Sequence, residues 1–297
     1  MADLATTNVK TTAVRSFFEG INLINDDYRL FTNYHQENAG KLQIAALTGI
    51  GNIPDWDGSA DITPASISSP GTNGLSLSYQ GYGVNVKLPK YDIMDVPGIV
   101  EKTSRKLGQA VGYKYQQLAF ASVAASFTTT IVDGENLCSA NHKIESGSVR
   151  SVGGNALSTA LDRSALAAAL SAMRLFPNFQ GQFTNFADLP LVLIVPPALE
   201  ETAIEVLGSS LSGADNQINM FAGRRISLVV SPLLSDTDDW FLCTGVTEES
   251  PYQLWERSAP MYTIREDQDN RQLKIAVDFA LATGLGPQPD GVVGSSV

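Results

Sequence analysis

The chain has 297 residues, 43% of them hydrophobic, so it can fill one large or two moderate domains with an apolar core and is not a disordered polymer. A net charge of −11 argues against a tight, sequence-independent grip on nucleic acid, which draws its affinity from counterions released by Lys and Arg; two cysteines argue against a disulfide framework. No basic segment followed by an apolar run stands near Met1 and no apolar stretch reaches membrane-spanning length, so assembly in a cytoplasm, with reduced thiols, is expected.

In chain order, MADLATTNVKTT is small and polar and predicts a mobile arm. From Ala13 to Tyr34, Val14, Phe17, Phe18, Ile21, Leu23, Ile24 and Leu30 allow a helix interrupted at Gly20 and at Asn25 to Asp27. Leu42 to Leu47 is strand-like. A long Gly, Pro, Ser, Asp and Thr-rich section follows, and then Val84, Val86 and Leu88 alternate with polar neighbours as one face of a strand. A connection this long is either a surface insertion or a functional projection.

The pattern turns helical from Val96 to Phe127, with Asp95 as cap, Pro97 near the first turn and Glu101, Lys102, Arg105 and Lys106 crowding the early turns. Val100, Leu107, Val111, Tyr115, Leu118 and Ser122 share one face of a rod on the order of 45 Å long. Gly108 and Gly112, four apart, would let another backbone approach, here expected to be a strand layer. LSTALDRSALAAALSAMRLF predicts a second helix, with Leu166, Leu170 and Met173 at helical spacing. Leu191 to Val195, five apolar residues between Pro190 and Pro196, predicts a buried strand, and a helix follows it from Pro196 and Pro197 to Gly208. Ile226 to Val230 and Trp240 to Cys243 should extend that strand's sheet across the acidic turn PLLSDTDD. Tyr252 to Arg265 has no clear period, whereas Leu273, Ile275, Val277, Phe279 and Leu281 alternate cleanly and predict a strand beside the long helix. GLGPQPDGVVGSSV reads as a tail.

Little of the chemistry is specific. Cys138 and His142 lie four apart, but a structural zinc site wants four ligands, and only His35 and Cys243 remain to complete one; as a thiol and its base the pair lacks an orienting third group in its local context. Asp55, Asp57 and Asp61 resemble part of a calcium loop, yet Gly58 falls too early and Ser66 stands where the closing Glu belongs, so these acids, like Asp236, Asp238 and Asp239, read as solvated turn residues. There is no phosphate-binding loop and no dinucleotide fingerprint. No catalytic residue, cofactor or metal is expected.

Taken in order, Asp133-Gly134, Leu137-Cys138-Ser139-Ala140-Asn141-His142, Ala156-Leu157-Ser158, Ala172-Met173-Arg174 and Leu193-Ile194-Val195-Pro196-Pro197-Ala198-Leu199-Glu200 resemble the Mu-type major head subunit family of tailed phages, from roughly Tyr82 to Trp240. The resemblance implies an α+β chain of the HK97-like capsid fold. Its parts would be an N-terminal arm at 1–35, an extended two-stranded loop at 36–90, a peripheral domain with a long spine helix at 91–136 and 251–297, and an axial domain with a central sheet and flanking helices at 137–250. It implies a major capsid protein rather than an enzyme, self-assembling into hexamers and pentamers of an icosahedral head that encloses double-stranded DNA without sequence-specific binding or membrane contact. Scaffolding, portal and decoration proteins are the further partners it implies. No long removable propeptide is apparent, so separate scaffolding is expected. The protein would be made in the bacterial host cytoplasm and end in the virion.

Trp56, Ile62 and Tyr79 would be apolar anchors of the loop on a neighbouring subunit, and Lys87 and Arg105 further candidates for contact between subunits. Lys41, Lys87 and Lys90 lie where some such shells carry a crosslinking lysine, but nothing selects its Asn or Glu partner. The same fold serving as the shell of a bacterial nanocompartment is the nearest alternative; a cytosolic α/β enzyme is the alternative of another class, and it lacks a convergent set of titratable groups.

Overall fold

A computed structural model describes residues 7–37, 42–45, 74–143, 154–177, 183, 185–208, 221, 223–246, 250–267 and 269–297. The helices are α1 (Thr7–Asn22), α2 (Lys90–Asp95), α3 (Ile99–Ala124), α4 (Arg163–Leu175) and α5 (Glu200–Gly208). The strands are β1 (Thr32–Gln36), β2 (Leu42–Ala45), β3 (Gly74–Leu77), β4 (Gln80–Pro89), β5 (Ala156–Leu157), β6 (Leu191–Val195), β7 (Ile226–Val230), β8 (Trp240–Thr244), β9 (Tyr252–Asp267), β10 (Gln272–Leu285) and β11 (Val292–Ser295). They form three sheets, ordered β1-β9-β10-β4, β5-β11-β8-β6-β7 and β2-β3.

In the first sheet only β1 and β9 run parallel; the long β9–β10 hairpin and β4 are antiparallel. The alternation read in Leu273 to Leu281 becomes one buried face, on which Leu273, Ile275, Val277, Phe279 and Leu281 form a core with the stripe Val100, Leu107, Val111 and Tyr115 of α3. At about 1.5 Å per residue the 26-residue α3 is roughly 39 Å long. Burying each large apolar side chain of this stripe contributes about 1.5–3 kcal/mol, which outweighs the helix-weakening effect of its two glycines.

Several expectations are corrected here. Thr7 to Thr12 is helical rather than irregular and forms the first turns of α1, which continues through Gly20 because Ala13 and Phe17 bury completely against α3 and the sheet. Gly108 and Gly112 admit α1, not a strand layer: a Cβ on Gly108 would overlap the Phe17 carbonyl, and one on Gly112 would crowd Ile24. Asp95 does not cap α3. It ends the separate short α2, and the chain turns at Gly98, whose φ of 73° is the left-handed geometry glycine tolerates. The aperiodic stretch from Tyr252 is a strand of 16 residues; its irregular pattern reflects register shifts against β10 between Asp278 and Leu281.

The second sheet accounts for the apolar run at Leu191 to Val195. Both of its faces are covered, so every residue of β6 is buried: Leu191, Leu193 and Val195 face α4 and α5, while Val192 and Ile194 join the other core with Phe241, Cys243 and Leu137. The helix expected from Leu157 begins later, at Arg163. Asp162 caps it, its Oδ1 accepting from the Ala165 N–H at 2.6 Å, while Ala156 and Leu157 pair with β11. The closing stretch is not a tail, because Val292 to Ser295 is a fully buried strand between β5 and β8. Residues 252–285 thus belong to the first sheet and 292–295 to the second.

Candidate assembly surfaces

Copies of a chain can meet through exposed strand edges and through apolar side chains left in solvent, presented by a stiff body. The stiffness comes first from the crossing of α1 and α3, where Arg105 of α3 reaches Glu19 at 3.1 Å while Arg15 holds the other oxygen of the same carboxylate at 2.9 Å. These bonds hold the Glu19 carboxyl below the usual range. Behind the crossing, buried Glu256 on β9 accepts the Tyr115 hydroxyl of α3 at 2.6 Å and a second bond from Tyr34 of β1. Burial and the adjacent carboxylate push both phenols well above their ordinary pKa. One carboxylate thereby ties spine helix, sheet and N-terminal segment together.

A second buried polar cluster organises the loop after α3. The His142 ring lies 2.7 Å from Asp133 Oδ2 through Nδ1, and through Nε2 it meets the Leu137 carbonyl at 3.2 Å and Asn155 Oδ1 at 3.0 Å. Asn155 in turn donates to the Leu137 and Pro289 carbonyls, so this loop is fastened to the chain that enters β11. Burial alone would raise the Asp133 carboxyl, but the bond from His142 and the Glu135 and Lys143 backbone N–H groups hold it below the usual range. Cys138 takes no part in this cluster. Its thiol is buried against Gly294 and pushed far up by burial, the opposite of an activated nucleophile. Both cysteines are free, and no group of three or more potential metal ligands occurs among the described residues. Asp236 and Asp238 are exposed, as expected of turn acids, whereas Asp239 is half-buried with Oδ1 lacking a partner.

The β2–β3 ladder, Leu42↔Leu77 to Ala45↔Gly74, falls between β1 and β4 in the chain and touches the first sheet where Leu77 abuts Gly284. Trp56 and Ile62 lie outside the described residues. Tyr79 follows β3; its hydroxyl donates to the Glu37 carbonyl at 3.4 Å, and the Arg257 guanidinium stands 5.9 Å from its ring centre. Lys87 is exposed on β4, opposite Lys274 of β10, and Arg105 is engaged by Glu19 in its own chain. Among the described residues, Tyr79, Lys87 and Arg105 are not brought together.

Among the described residues β4 has no strand on its outer side, and Val84 on it is exposed. The short α2 that follows leaves Tyr91 74% and Met94 64% exposed, with Val96 just beyond. Sequence reasoning missed α2 because six residues are too few for a helical period to show. It missed the Glu256 cluster because Tyr115 and Glu256 lie 141 positions apart, and the His142 cluster because Asp133, His142 and Asn155 follow no period; the Asp133-to-His142 spacing within one turn-rich segment was the available signal.

Comparison with known proteins gives the same architecture. A family model described as phage capsid protein matches residues 82–295. No curated protein matches the sequence. Among solved structures, the capsid of cyanophage P-SCSP1u superposes with a TM-score of 0.60 at 12% identity, covering 89% of this chain and 85% of the other. The procapsid of bacteriophage JBD30 superposes at 0.57 and 13% identity over 100% and 76%, and the virus-like particle from Pyrococcus furiosus at 0.56 and 9% over 95% and 96%. The fold is the HK97-like capsid fold, and the cytosolic enzyme is set aside. The chain belongs to the phage capsid protein family: it is a major capsid protein, a structural component of a bacteriophage head.

Proposed function

We propose that copies of this chain assemble into the hexamers and pentamers of an icosahedral head of a tailed DNA phage, of the Mu type. The observation that carries this reading is the family match over residues 82–295 on a body that combines a 26-residue spine helix with a separate two-stranded ladder. The division into arm (1–35), extended loop (36–90), peripheral domain (91–136 with 251–297) and axial domain (137–250) belongs to the same proposal, with β11 as the return of the chain into the axial sheet. The loop, through Trp56, Ile62 and Tyr79, and the exposed Lys87 and Arg105 would contact neighbouring subunits. Scaffolding, portal and decoration proteins are the further partners, and assembly takes place in the host cytoplasm. An acidic wall encloses DNA without adhering to it.

Expression of the chain in bacteria, followed by gradient sedimentation and negative-stain imaging, tests the reading. Closed particles are expected, whereas a compact monomer as the sole species at high concentration would refute it. The same fold serving as the shell of a nanocompartment is the second reading, since the fold is also that of a virus-like particle from Pyrococcus furiosus. Particles isolated from the native host separate the two, since nuclease-resistant double-stranded DNA supports the head and an enclosed enzyme the compartment.

A further inference from the structure

The second sheet carries two surface concavities of opposite charge at the two ends of one parallel strand pair. Leu191 pairs with Ile226 and Val195 with Val230, so β6 and β7 run side by side for five residues, about 16 Å. At their N-terminal end, Arg224 and Arg225 line a concavity with Leu189 and Asp188. Asp188 is already bonded to Arg174 at 3.5 Å and to the Asn185 amide, leaving the site basic on balance. Backbone bonds fix both arginines, with the Arg224 N–H donating to Phe221 and the Arg225 carbonyl accepting from Leu191. At the C-terminal end, Glu200 and Glu201 line a second concavity with Pro197, Ala198 and Ile204, and Ile204 is 53% exposed. Among the described residues, Arg224, Arg225, Glu200 and Glu201 make no side-chain ion pair.

Resting on the shell reading above, we infer that these surfaces are the two halves of one heterologous contact: the α5 concavity of one copy, with Glu200, Glu201 and Ile204, seats against Arg224, Arg225 and Leu189 of the next. The occupant is a second copy of this chain because each half supplies what the other lacks, two guanidinium groups for two carboxylates and an exposed aliphatic side chain on each side. Because the halves lie at opposite ends of the strand pair, neither satisfies the other within one molecule, and the contact propagates head to tail until a rotation closes it into a ring. Arginine suits such a site, since its planar fork binds carboxylates in pairs and is less costly to dehydrate than an ammonium. Desolvated charge pairs of this kind set register and exclude wrong docking as well as adding affinity.

The test uses the full chain in the same sedimentation and imaging assay. R224E/R225E and, separately, E200R/E201R are expected to reduce particles by roughly tenfold or more, and the four-residue exchange that combines them is expected to restore assembly. Circular dichroism of the soluble fraction distinguishes a lost contact from lost folding. A second arm leaves folding intact: E201C with R225C, oxidised in assembled particles, is expected to give a ladder of disulfide-linked multimers, since Cys138 and Cys243 are buried. Reversed variants that fold and assemble like the wild type, a folded exchange variant that does not assemble, or particles that give no ladder each overturn the contact while the shell reading stands. Failure of the wild-type chain to form any particle overturns both.

Discussion

Gly20 and Gly108 face each other where α1 crosses α3, each positioned so that a Cβ would run into the backbone of the other helix. On Gly20 it would strike the Arg105 carbonyl, and on Gly108 the Phe17 carbonyl. Because backbone atoms cannot swing aside as side chains do, Gly108→Ala should destabilise the fold by about 1–3 kcal/mol or more through overpacking. Gly81→Ala on β4 is the control, since a Cβ there would meet no atom within 4 Å and the change should be near neutral. Calorimetric melting of both variants checks this: a drop of several degrees for Gly108→Ala and almost none for Gly81→Ala.

The Glu256 carboxylate depends on phenol donors for its burial. Tyr115→Phe removes a 2.6 Å bond and leaves a buried acceptor undersupplied, at a cost of about 1–3 kcal/mol in denaturant unfolding. The phenols also set an alkaline limit. Their pKa values are raised on folding, so their contribution is complete below the unfolded value, about 10, and is lost as pH rises towards the folded values. Unfolding free energy should therefore fall above about pH 10, and Tyr115→Phe should fall less steeply than the wild type.

The Asp133 to His142 pair sets a limit at the acid end. With its folded pKa depressed, Asp133 contributes stability that is present above its unfolded value, about 3.9, and is lost as pH falls through the folded one. Asp133→Asn should weaken the bonds to His142 and to the Glu135 and Lys143 amides, costing about 1.5–3 kcal/mol at neutral pH and flattening the acid limb. Hydrogen exchange reads the change locally, with faster exchange at the Glu135 and Lys143 amides than in α5.

Asp239 behaves in the opposite sense. Its Oδ1 is buried without a partner, and burial raises the carboxyl pKa, so the charged form is disfavoured by folding at neutral pH and its penalty is relieved as pH falls. Asp239→Asn keeps the shape and removes the charge. It should raise stability slightly, because the bond with Ser296 already offsets part of the penalty, measurable as a higher melting temperature.

Local pattern made much of this architecture legible. The alternation at Leu273 to Leu281 and the unbroken apolar run at Leu191 to Val195 determine strands whatever surrounds them, because a period of two and a two-sided burial leave few other solutions. The stripe from Val100 to Ser122 likewise determines a long helix, and the ordered motifs from Asp133 to Glu200 pointed to the family. Long-range contact decided the rest. That Gly108 receives a helix rather than a strand, that Glu256 meets Tyr115 across 141 positions, and that Val292 to Ser295 becomes a central strand all follow from partners distant in the chain. The opposed charges of Arg224 and Glu200 gain meaning in the same way, once β6 and β7 set them at two ends of one sheet. Burial and pairing are properties of the folded surface, and short polar or glycine-rich segments carry no local period from which to read them.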